Sequence, residues 1–337
     1  MKILFLGGTG NISSACVALA LEKGHEVTIF SRGQSELKPD PRCKVVLGDR
    51  SDRVTLENLA RDGRFDVIAD FIAYTPADIE TDLAAFSGKT AHYLFISSAS
   101  VYQKPPRNYL ISETTPLANP YWEYARQKIA CEERLRQAYK EDRFPVTIVR
   151  PSYTFGPTWI PAAVGGHGYT NVHRLRHGIP IVCHGDGQSL WVMTFHTDFA
   201  QGFVGLFGQV RALGEAFHIT SDEVLTWDQI YQTTAEVAGV EARIIHLPSE
   251  IIAALHPPFG GTLLGDKAYS AVFDNSKIKR AVPEFKAKVN FRDGLVQSLA
   301  WHDADARRRR VDHKVNAVLD RLVEVHQEMM SRGAVLR

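Results

Sequence analysis

The first half of the chain alternates short apolar, largely β-branched runs with stretches of helical periodicity. The apolar runs, each predicted to be a strand, cover residues 2–7, 26–31, 43–49, 66–72, 92–97 and 145–150. The helical patterns between them cover residues 11–23, 52–62, 76–86 and 123–141. Strands that alternate with helices are typical of a parallel sheet covered by helices on both faces. The pattern therefore predicts an α/β fold with a Rossmann-like, doubly wound parallel sheet.

The second half of the chain has a different composition. From about Pro151 proline, glycine and aromatic residues become frequent, which is typical of loops. A helix at 195–210 and a strand at 215–220 are then predicted to return to the sheet. The resulting division is a sheet domain over 1–152 and about 192–222, and a smaller α+β domain over about 153–191 and 223–300.

A long helix is predicted at the end of the chain, from Asp303 to Ser331. Its apolar residues recur at alternating steps of four and three, as in a heptad seam: Val311, Val315, Val318, Leu322, Val325 and Met329. Such a seam packs either on its own domain or against another subunit. Residues 301–337 are therefore set apart as a C-terminal helix, and the arginine run at 307–310 is typical of a solvated face.

Composition narrows the class of protein. Of the 337 residues, 45% are hydrophobic and 23% are charged, and the formal net charge is +1. A near-neutral balance gives no general reason to expect nucleic acid or a membrane surface as partner. The apolar run at the N-terminus is short for a signal peptide, and no stretch approaches the ~18 apolar residues of a membrane span. The expected location is the cytoplasm.

The four cysteines, Cys16, Cys43, Cys131 and Cys183, are scattered along the chain. No C-x-x-C pair occurs, and no histidine stands at the spacing of a metal partner. We therefore expect buried thiols in a reducing compartment, and no metal site.

A glycine-rich segment, GGTGNIS at 7–13, lies between the first predicted strand and the first predicted helix. Glycines there permit positive φ and let the backbone approach a pyrophosphate, which the helix N-terminus then binds. Gly7 and Gly10 have the G-x-x-G spacing, followed by Asn11 and Ile12, while the usual third glycine is replaced by Ser13. The segment predicts that the sheet domain binds a dinucleotide.

The end of the second strand bears on which dinucleotide is used. Sites for NAD generally place an acid there to bind the ribose 2′-hydroxyl. This chain has Ser31 and Arg32 instead, which suit a 2′-phosphate and so favour NADP, unless Arg32 is only an exposed turn residue. Asp49, at the end of the third strand, is placed to bind the adenine amino group, or it forms a turn.

Tyr124 and Lys128 stand four residues apart at the start of a helical pattern. Side chains at this spacing are neighbours on a helix surface, about 5–6 Å apart at Cβ. An ammonium beside a phenol favours the phenolate, which could exchange a proton with a substrate hydroxyl near neutral pH. The serines of FISSASVY (95–102) end the fifth strand, where an open α/β sheet binds its ligand.

The order of these motifs resembles that of the extended short-chain dehydrogenases/reductases, and specifically the NAD-dependent epimerase/dehydratase family. The motifs are GGTG, GD after the third strand, SSxSVY, YxxxK, RPxxxxGP, and GDGQ leading into a D-F-A helix start. The resemblance covers at least residues 1–300. It implies that Ser98, Tyr124 and Lys128 are catalytic: Tyr124 moves the substrate proton while hydride passes to a nicotinamide. Lys128 would also bind the nicotinamide ribose, and Ser98 would hold the substrate oxygen.

The resemblance also implies further contacts. Those with the cofactor are Gly7, Gly10, Asn11, Ile12, Ser31, Arg32, Asp49, Arg50, Phe71, Ile72, Ala73, Ser97, Tyr124, Lys128, Pro151 and Tyr153. Those with the substrate are Ser98, Ser100, Tyr74, Trp159, His167 and Trp191. The cofactor is therefore expected to be NAD(P): the reaction type favours NAD, whereas Ser31 and Arg32 favour NADP.

Three departures from the family pattern narrow the chemistry. Dehydratases usually follow the catalytic residue with Asp-Glu, but this chain has Ala99 and Ser100, so elimination of water is disfavoured. The usual arginine for a substrate diphosphate is replaced by Trp191, which either stacks on a sugar or fills the core. GGTGNIS and VTIFSRG also resemble a subgroup that includes chloroplast stem-loop RNA-binding proteins. Members of that subgroup can lack YxxxK, and its presence here favours catalysis.

The leading hypothesis is an NAD(P)-dependent epimerase of a sugar or sugar derivative, nucleotide-linked or not, acting through a transient ketone with Tyr124 as acid/base. One alternative is an NADP-dependent dehydrogenase or reductase of a sugar or polyol. Another is a non-catalytic RNA-binding protein that uses the arginines at 307–310. The expected partner is a small carbohydrate, without membrane or nucleic acid, and the family resemblance suggests a homodimer.

Overall fold

The computed structural model describes residues 1–335. Its strands are β1 (Lys2–Leu6), β2 (Glu26–Ser31), β3 (Lys44–Leu47), β4 (Val67–Asp70), β5 (His92–Ile96), β6 (Leu110–Ile111), β7 (Val146–Pro151), β8 (Tyr153–Phe155), β9 (Ile181–His184), β10 (Leu190–Trp191), β11 (Met193–Phe195), β12 (Ala216–Ile219), β13 (Leu225–Thr226), β14 (Ile244–Leu247) and β15 (Val272–Phe273).

Its α-helices are α1 (Ser13–Glu22), α2 (Arg53–Gly63), α3 (Pro76–Phe86), α4 (Glu123–Asp142), α5 (Thr170–Arg176), α6 (His196–Gly205), α7 (Trp227–Val237), α8 (Ser249–Leu255), α9 (Pro257–Thr262), α10 (Ser276–Ala281), α11 (Phe291–Asp303) and α12 (His313–Val335). Short 3₁₀ turns lie at Ala99–Val101, Val210–Ala212 and Ala306–Arg308, and a π-helical turn at Leu263–Lys267.

Seven strands form the central sheet, in the order β12-β7-β5-β4-β1-β2-β3, and every neighbouring pair is parallel. The chain builds outward from β1 to β3, then crosses to β4 and builds outward on the other side. Buried apolar residues line both faces of this sheet, beneath the helices. The doubly wound α/β prediction is confirmed, and its crevice lies beyond the carboxyl end of β1, where the order reverses.

Capping residues begin the helices that flank the crevice. Thr75 accepts a hydrogen bond from the Asp78 N–H, and Asp78 accepts one in return, which forms a capping box at the start of α3. This box also places α3 directly after the loop that follows β4. The remaining segments form small two-stranded sheets and helices around a separate apolar core, which includes Trp191 and Trp227.

The end of the chain differs from the prediction of one helix over 303–331. Helix α11 ends at Asp303, and α12 begins only at His313, so Val311 precedes it. The physical reason is a local turn: the Asp305 carboxylate accepts a hydrogen bond from the Arg307 N–H, and Arg308 lies over the Trp301 ring. Residues 336–337 of the segment set apart at 301–337 lie outside the described residues.

Helix α12 packs on its own chain, beside β9 and β14. Leu319 and Leu322 are fully buried, Val315, Val318 and Val323 pack beside them, and Met329 is 44% exposed. The buried positions thus follow the stripe of a helix lying on a domain rather than the full predicted seam. Among residues 1–335, no helix is both long enough and apolar enough to cross a membrane.

Candidate active site

The glycine segment turns between β1 and α1 at the carboxyl edge of the sheet. Gly7 has φ +84°, and a Cβ there would collide with the Ile72 side chain, so both its conformation and its surroundings require glycine. The Gly10 N–H donates to the Ser13 hydroxyl at 2.9 Å. Ser13, which replaces the usual third glycine, therefore braces the loop.

A cleft of about 400 Å³ extends from these glycines along the ends of β2 and β3. The predicted cofactor residues that line it are Gly7, Gly10, Ser31, Arg32, Asp49, Arg50 and Ile72. Arg32 is exposed and forms no ion pair within residues 1–335. The Asp49 carboxylate accepts hydrogen bonds from the Ser51 N–H and hydroxyl, which lower the pKa of Asp49. A concave site with glycine backbone at one end and a cation at the other fits a dinucleotide.

Arg50 lines the cleft, but its guanidinium is engaged beneath it. It pairs with Asp70 at 3.2 Å, Asp78 at 3.2 Å and Asp82 at 2.8 Å, and the first and last of these are fully buried. The guanidinium of Arg50 is therefore held by the three aspartates, and a contact between Arg50 and the cofactor stays a prediction. Arg50 thereby joins the ends of β3 and β4 to α3.

Ser97 is a second predicted cofactor residue whose side chain is engaged elsewhere. Its hydroxyl donates to the buried carboxylate of Glu132 at 2.6 Å, and the Arg150 guanidinium binds the same carboxylate. Ser97 is 1% exposed, so its contribution is to tie β5 to α4. No sequence pattern separates this serine from its neighbour Ser98.

The other predicted cofactor residues support the loop or its surroundings. Asn11 is buried and donates to the Thr154 carbonyl at 3.4 Å, while Ile12 packs on the core beneath the sheet. Phe71 stacks on Phe5. Ile72 and Ala73 donate their N–H groups to Asp70, which fixes the loop after β4 against the glycines.

Lys128 reaches from α4 under this loop. It is 1% exposed, and its ammonium donates to the main-chain carbonyls of Ala73 and Ile96, both at 2.7 Å. It lies 4.8 Å from the Tyr74 ring centroid and 5.8 Å from that of Tyr124. Burial lowers the pKa of Lys128 to about 8. The two carbonyls leave one N–H of the ammonium for a further acceptor.

Tyr124 is half-buried on the same helix, between Tyr74 and Trp122. Burial raises the pKa of Tyr124 above its ordinary value, Tyr74 adds to the effect, and the Ser98 hydroxyl opposes it. The direction is opposite to the one that the pairing with Lys128 predicts, and the Lys128 ammonium is bound to the carbonyls of Ala73 and Ile96. A phenolate in the presence of dinucleotide and substrate stays a prediction.

Ser98 follows β5 and faces the tyrosine. Its hydroxyl shares a hydrogen bond with that of Ser100 at 2.8 Å and accepts the Ser100 N–H at 3.1 Å. Ser100 is buried, and Ala99 beside it carries no proton donor. The structure thus brings Ser98, Tyr124 and Lys128 together at the edge of the sheet, while no carboxylate stands at positions 99 and 100.

The predicted substrate residues divide between this site and the core. Tyr74 is exposed and lines the cleft, and Trp159 stacks on His167 at 3.9 Å. Trp191 is 2% exposed and packs 5.8 Å from Trp227, so the core-filling alternative holds for it.

Two residues predicted to bind the cofactor lie at the end of β7 and just beyond it. Pro151 is buried and pairs with Ile219 of β12. The Tyr153 hydroxyl bonds to the backbone of Ala162. Its ring lies 5.6 Å from the Lys267 ammonium.

Two groups of polar residues that the structure brings together were not predicted from the sequence. Lys104, Asp266 and Lys267 come together although more than 160 positions separate the first from the others. Cys183, Asp228 and His246 also converge, with ligand atoms within 4.8 Å of one another, and His246 donates to Asp228 at 2.8 Å. No spacing signal marked either group, because each depends on how β9, β14 and the loops pack.

Comparisons with known proteins identify the family of the chain. Residues 3–219 match the model of the NAD dependent epimerase/dehydratase family. The chain is 26% identical to the chloroplast stem-loop binding protein of 41 kDa b of Arabidopsis thaliana, over 73% of this chain and 65% of that protein. It is 24% identical to 2′-dehydrokanamycin reductase of Streptomyces kanamyceticus, over 86% of this chain and 81% of the reductase.

Among solved structures, the fold is similar to that of UDP-glucuronic acid 4-epimerase from Bacillus cereus in complex with NAD. The TM-score is 0.70 at 19% identity, covering 91% of this chain and 99% of the other. The family model spans well over half of the chain, and its region contains the glycine loop, Ser98, Tyr124 and Lys128. The chain therefore belongs to the NAD dependent epimerase/dehydratase family.

Proposed function

We propose that this protein is an NAD(P)-dependent epimerase that acts on a sugar or sugar derivative through a transient ketone. The observation that carries the proposal is the grouping of Ser98, Tyr124 and Lys128 beside the glycine cleft, with Ala99 and Ser100 where elimination would need acids. The proposal also places the enzyme in the cytoplasm as a homodimer. The four cysteines, all free, suit a reducing compartment.

In this proposal the cofactor and the three side chains have different roles. A nicotinamide dinucleotide in the cleft would supply hydride exchange with the carbinol carbon of the substrate. Tyr124 would take the hydroxyl proton from the substrate and return it, and Ser98 would hold the substrate oxygen by a hydrogen bond. Lys128, already bound to two carbonyls, would direct its remaining N–H toward the ribose.

Tyr124→Phe tests this assignment, since it removes one hydroxyl from the site. We expect turnover to fall by about 10²–10⁴-fold, with dinucleotide affinity unchanged by comparison. Tyr121→Phe, which alters an exposed tyrosine on the approach to the same helix, serves as control and should retain activity. Full activity of Tyr124→Phe would contradict the proposal.

A second candidate function is an NADP-dependent dehydrogenase or reductase of a sugar or polyol. It is favoured by Arg32, an exposed cation at the cleft that forms no ion pair within residues 1–335. A lasting change of nicotinamide absorbance on adding substrate would indicate net oxidation or reduction, whereas an epimerase leaves it unchanged. Arg32→Ala should weaken NADP binding by about 10-fold or more, and NAD binding much less.

A further inference from the structure

Two buried lysines share one carboxylate on the substrate side of the site. Lys104 is 3% exposed and Lys267 is 8% exposed. The Lys104 ammonium lies 3.9 Å from one oxygen of Asp266, and the Lys267 ammonium lies 3.7 Å from the other. Neither ammonium has a side-chain or carbonyl acceptor at hydrogen-bonding distance among the residues that the structure describes. Two cations and one anion leave a net charge of +1 in this group, whose side chains are 1% (Lys104), 10% (Lys267) and 15% (Asp266) exposed.

Such an arrangement is costly unless something completes it. An ion taken out of water without full pairing loses several kcal/mol of solvation. Burial lowers the pKa of Lys104 and of Lys267, and in both cases Asp266 opposes the effect only in part. A ligand anion would supply the missing acceptor and the missing charge.

The lysine pair lies close to the reacting groups. The Lys267 ammonium is 5.8 Å from the Trp122 ring centroid, and the Trp122 ring is 4.9 Å from that of Tyr124. The charge of Asp266 also contributes to the raised pKa of Tyr124. The pair is therefore about one aromatic ring away from the proposed acid/base.

Aromatic rings lie beside the two lysines: Trp122 and Tyr153 next to Lys267, and the core residue Trp191 next to Lys104. Lys267 also faces the Tyr153 ring, and the Lys104 ammonium lies 6.0 Å from the Trp191 centroid. Flat apolar faces with a few buried polar groups suit a sugar that carries an ionised substituent.

We infer that Lys104 and Lys267 form a subsite for a single carboxylate carried by the sugar substrate, with Asp266 paired to both ammoniums. The inference rests on the proposed function, since it names the substrate class of that site. The charge count selects the anion: a carboxylate brings the group to zero, whereas a phosphate monoester, with nearly two negative charges, would overshoot. The substrate class is a sugar acid.

Three matched sugars test the subsite: glucuronate, glucose and glucose 6-phosphate, which differ only at carbon 6. Ligand-observed NMR titrations on the full-length protein, with NAD and NADP present, would give the three affinities without requiring turnover. We expect glucuronate to bind at least about 10-fold more tightly than glucose, and more tightly than the phosphate. Equal binding of the three, binding of none, or preference for the phosphate would overturn the inference.

Variants test whether the two lysines cause the preference for glucuronate over glucose. Lys104→Met and Lys267→Met should each reduce it to within about 2-fold, whereas Lys279→Met, at a 45% exposed lysine, should keep it. Asp266→Asn leaves two cations without their anion, so it should shift the preference toward glucose 6-phosphate. A preference that survives both methionine variants would overturn the subsite.

Failure of the subsite is distinguishable from failure of the proposed function. Tyr124→Phe should retain the glucuronate preference, because binding does not need the proton transfer. If Tyr124→Phe stays fully active while the preference holds, the epimerase proposal falls and the carboxylate subsite stands. If Tyr124→Phe is inactive and the preference for glucuronate is absent, the carboxylate subsite falls and the epimerase proposal stands.

Discussion

At the scale of single residues, the contacts of Lys128 differ from those that its spacing from Tyr124 predicted. The i,i+4 relation to Tyr124 predicted an ammonium that acts directly on the phenol. The structure instead binds that ammonium to the carbonyls of Ala73, in the loop after β4, and of Ile96, the last residue of β5. The ammonium therefore ties the loop after β4 to the end of β5, and burial raises the pKa of the Tyr124 phenol.

This difference gives a pH prediction. Because burial raises the pKa of Tyr124, the phenol should remain neutral up to at least pH 10 in the protein without dinucleotide. The phenol should therefore stay protonated as the pH rises, and tyrosinate should form only above the pH at which a tyrosine ordinarily titrates. Absorbance titration near 295 nm of wild type and Tyr124→Phe would check this. A tyrosinate that forms near pH 7–8 in wild type and is missing from the variant would contradict it.

Elements were predicted well where local pattern and tertiary packing agree. The strands of the sheet and helices α1 to α4 lie within a few residues of their predicted bounds. The end of the chain was predicted less well, because the apolar periodicity continued through Val311 although Asp305 and Arg308 turn the backbone there. Periodicity reports which side of a helix is apolar, and not where the chain leaves it.

The loop between β1 and α1 yields a prediction at the scale of elements. Gly7→Ala should abolish dinucleotide binding, because the methyl group would strike Ile72 as well as strain the positive φ. Gly24→Ala, with φ +77° but open space around the new carbon, isolates the strain and should cost only about 1–2 kcal/mol of stability. Nucleotide binding by calorimetry and thermal unfolding would separate the two effects. Normal binding by Gly7→Ala would show that the loop is not the cradle.

Helix α12 yields a second prediction at this scale. Leu322→Ala should reduce the free energy of unfolding by about 2–5 kcal/mol, because it leaves a cavity against the core. Met329→Ala, on the exposed stretch of the same helix, should change it by less than about 0.5 kcal/mol. Denaturant unfolding would measure both. Similar losses for the two variants would mean that the distal part of α12 is buried in solution, as a subunit contact would require.

For the molecule as a whole, net charge bears on the likeness to a stem-loop binding protein. The chain carries a formal charge of +1, and the arginines at 307–310 lie in and beside a short turn, where Asp305 pairs with Arg307. We expect RNA binding to be non-specific, with a Kd no tighter than about 10⁻⁶ M and a steep loss between 50 and 200 mM salt. Fluorescence anisotropy with a stem-loop RNA would measure this. Tight binding that persists at the higher salt and in Tyr124→Phe would favour the RNA-binding alternative.

Much of the site was accessible from local sequence alone. The glycine loop, the serine at the end of β5 and the Tyr124–Lys128 pair each occupy a short segment, so a window of a few residues contains them. Their common location follows from one rule, that carboxyl ends of parallel strands meet at the same edge. The family followed from the order of the same segments.

Only the tertiary structure decided what each side chain contacts. Arg50 and Ser97 stand in cofactor motifs, yet buried carboxylates hold them, and Trp191 lies in the core. Lys104 meets Asp266 and Lys267 across more than 160 positions of the chain, over which no local pattern links them. The physical reason is the distance along the chain over which each effect acts. Backbone propensity and periodicity act over a few residues, whereas burial and charge pairing depend on neighbours that only folding brings together.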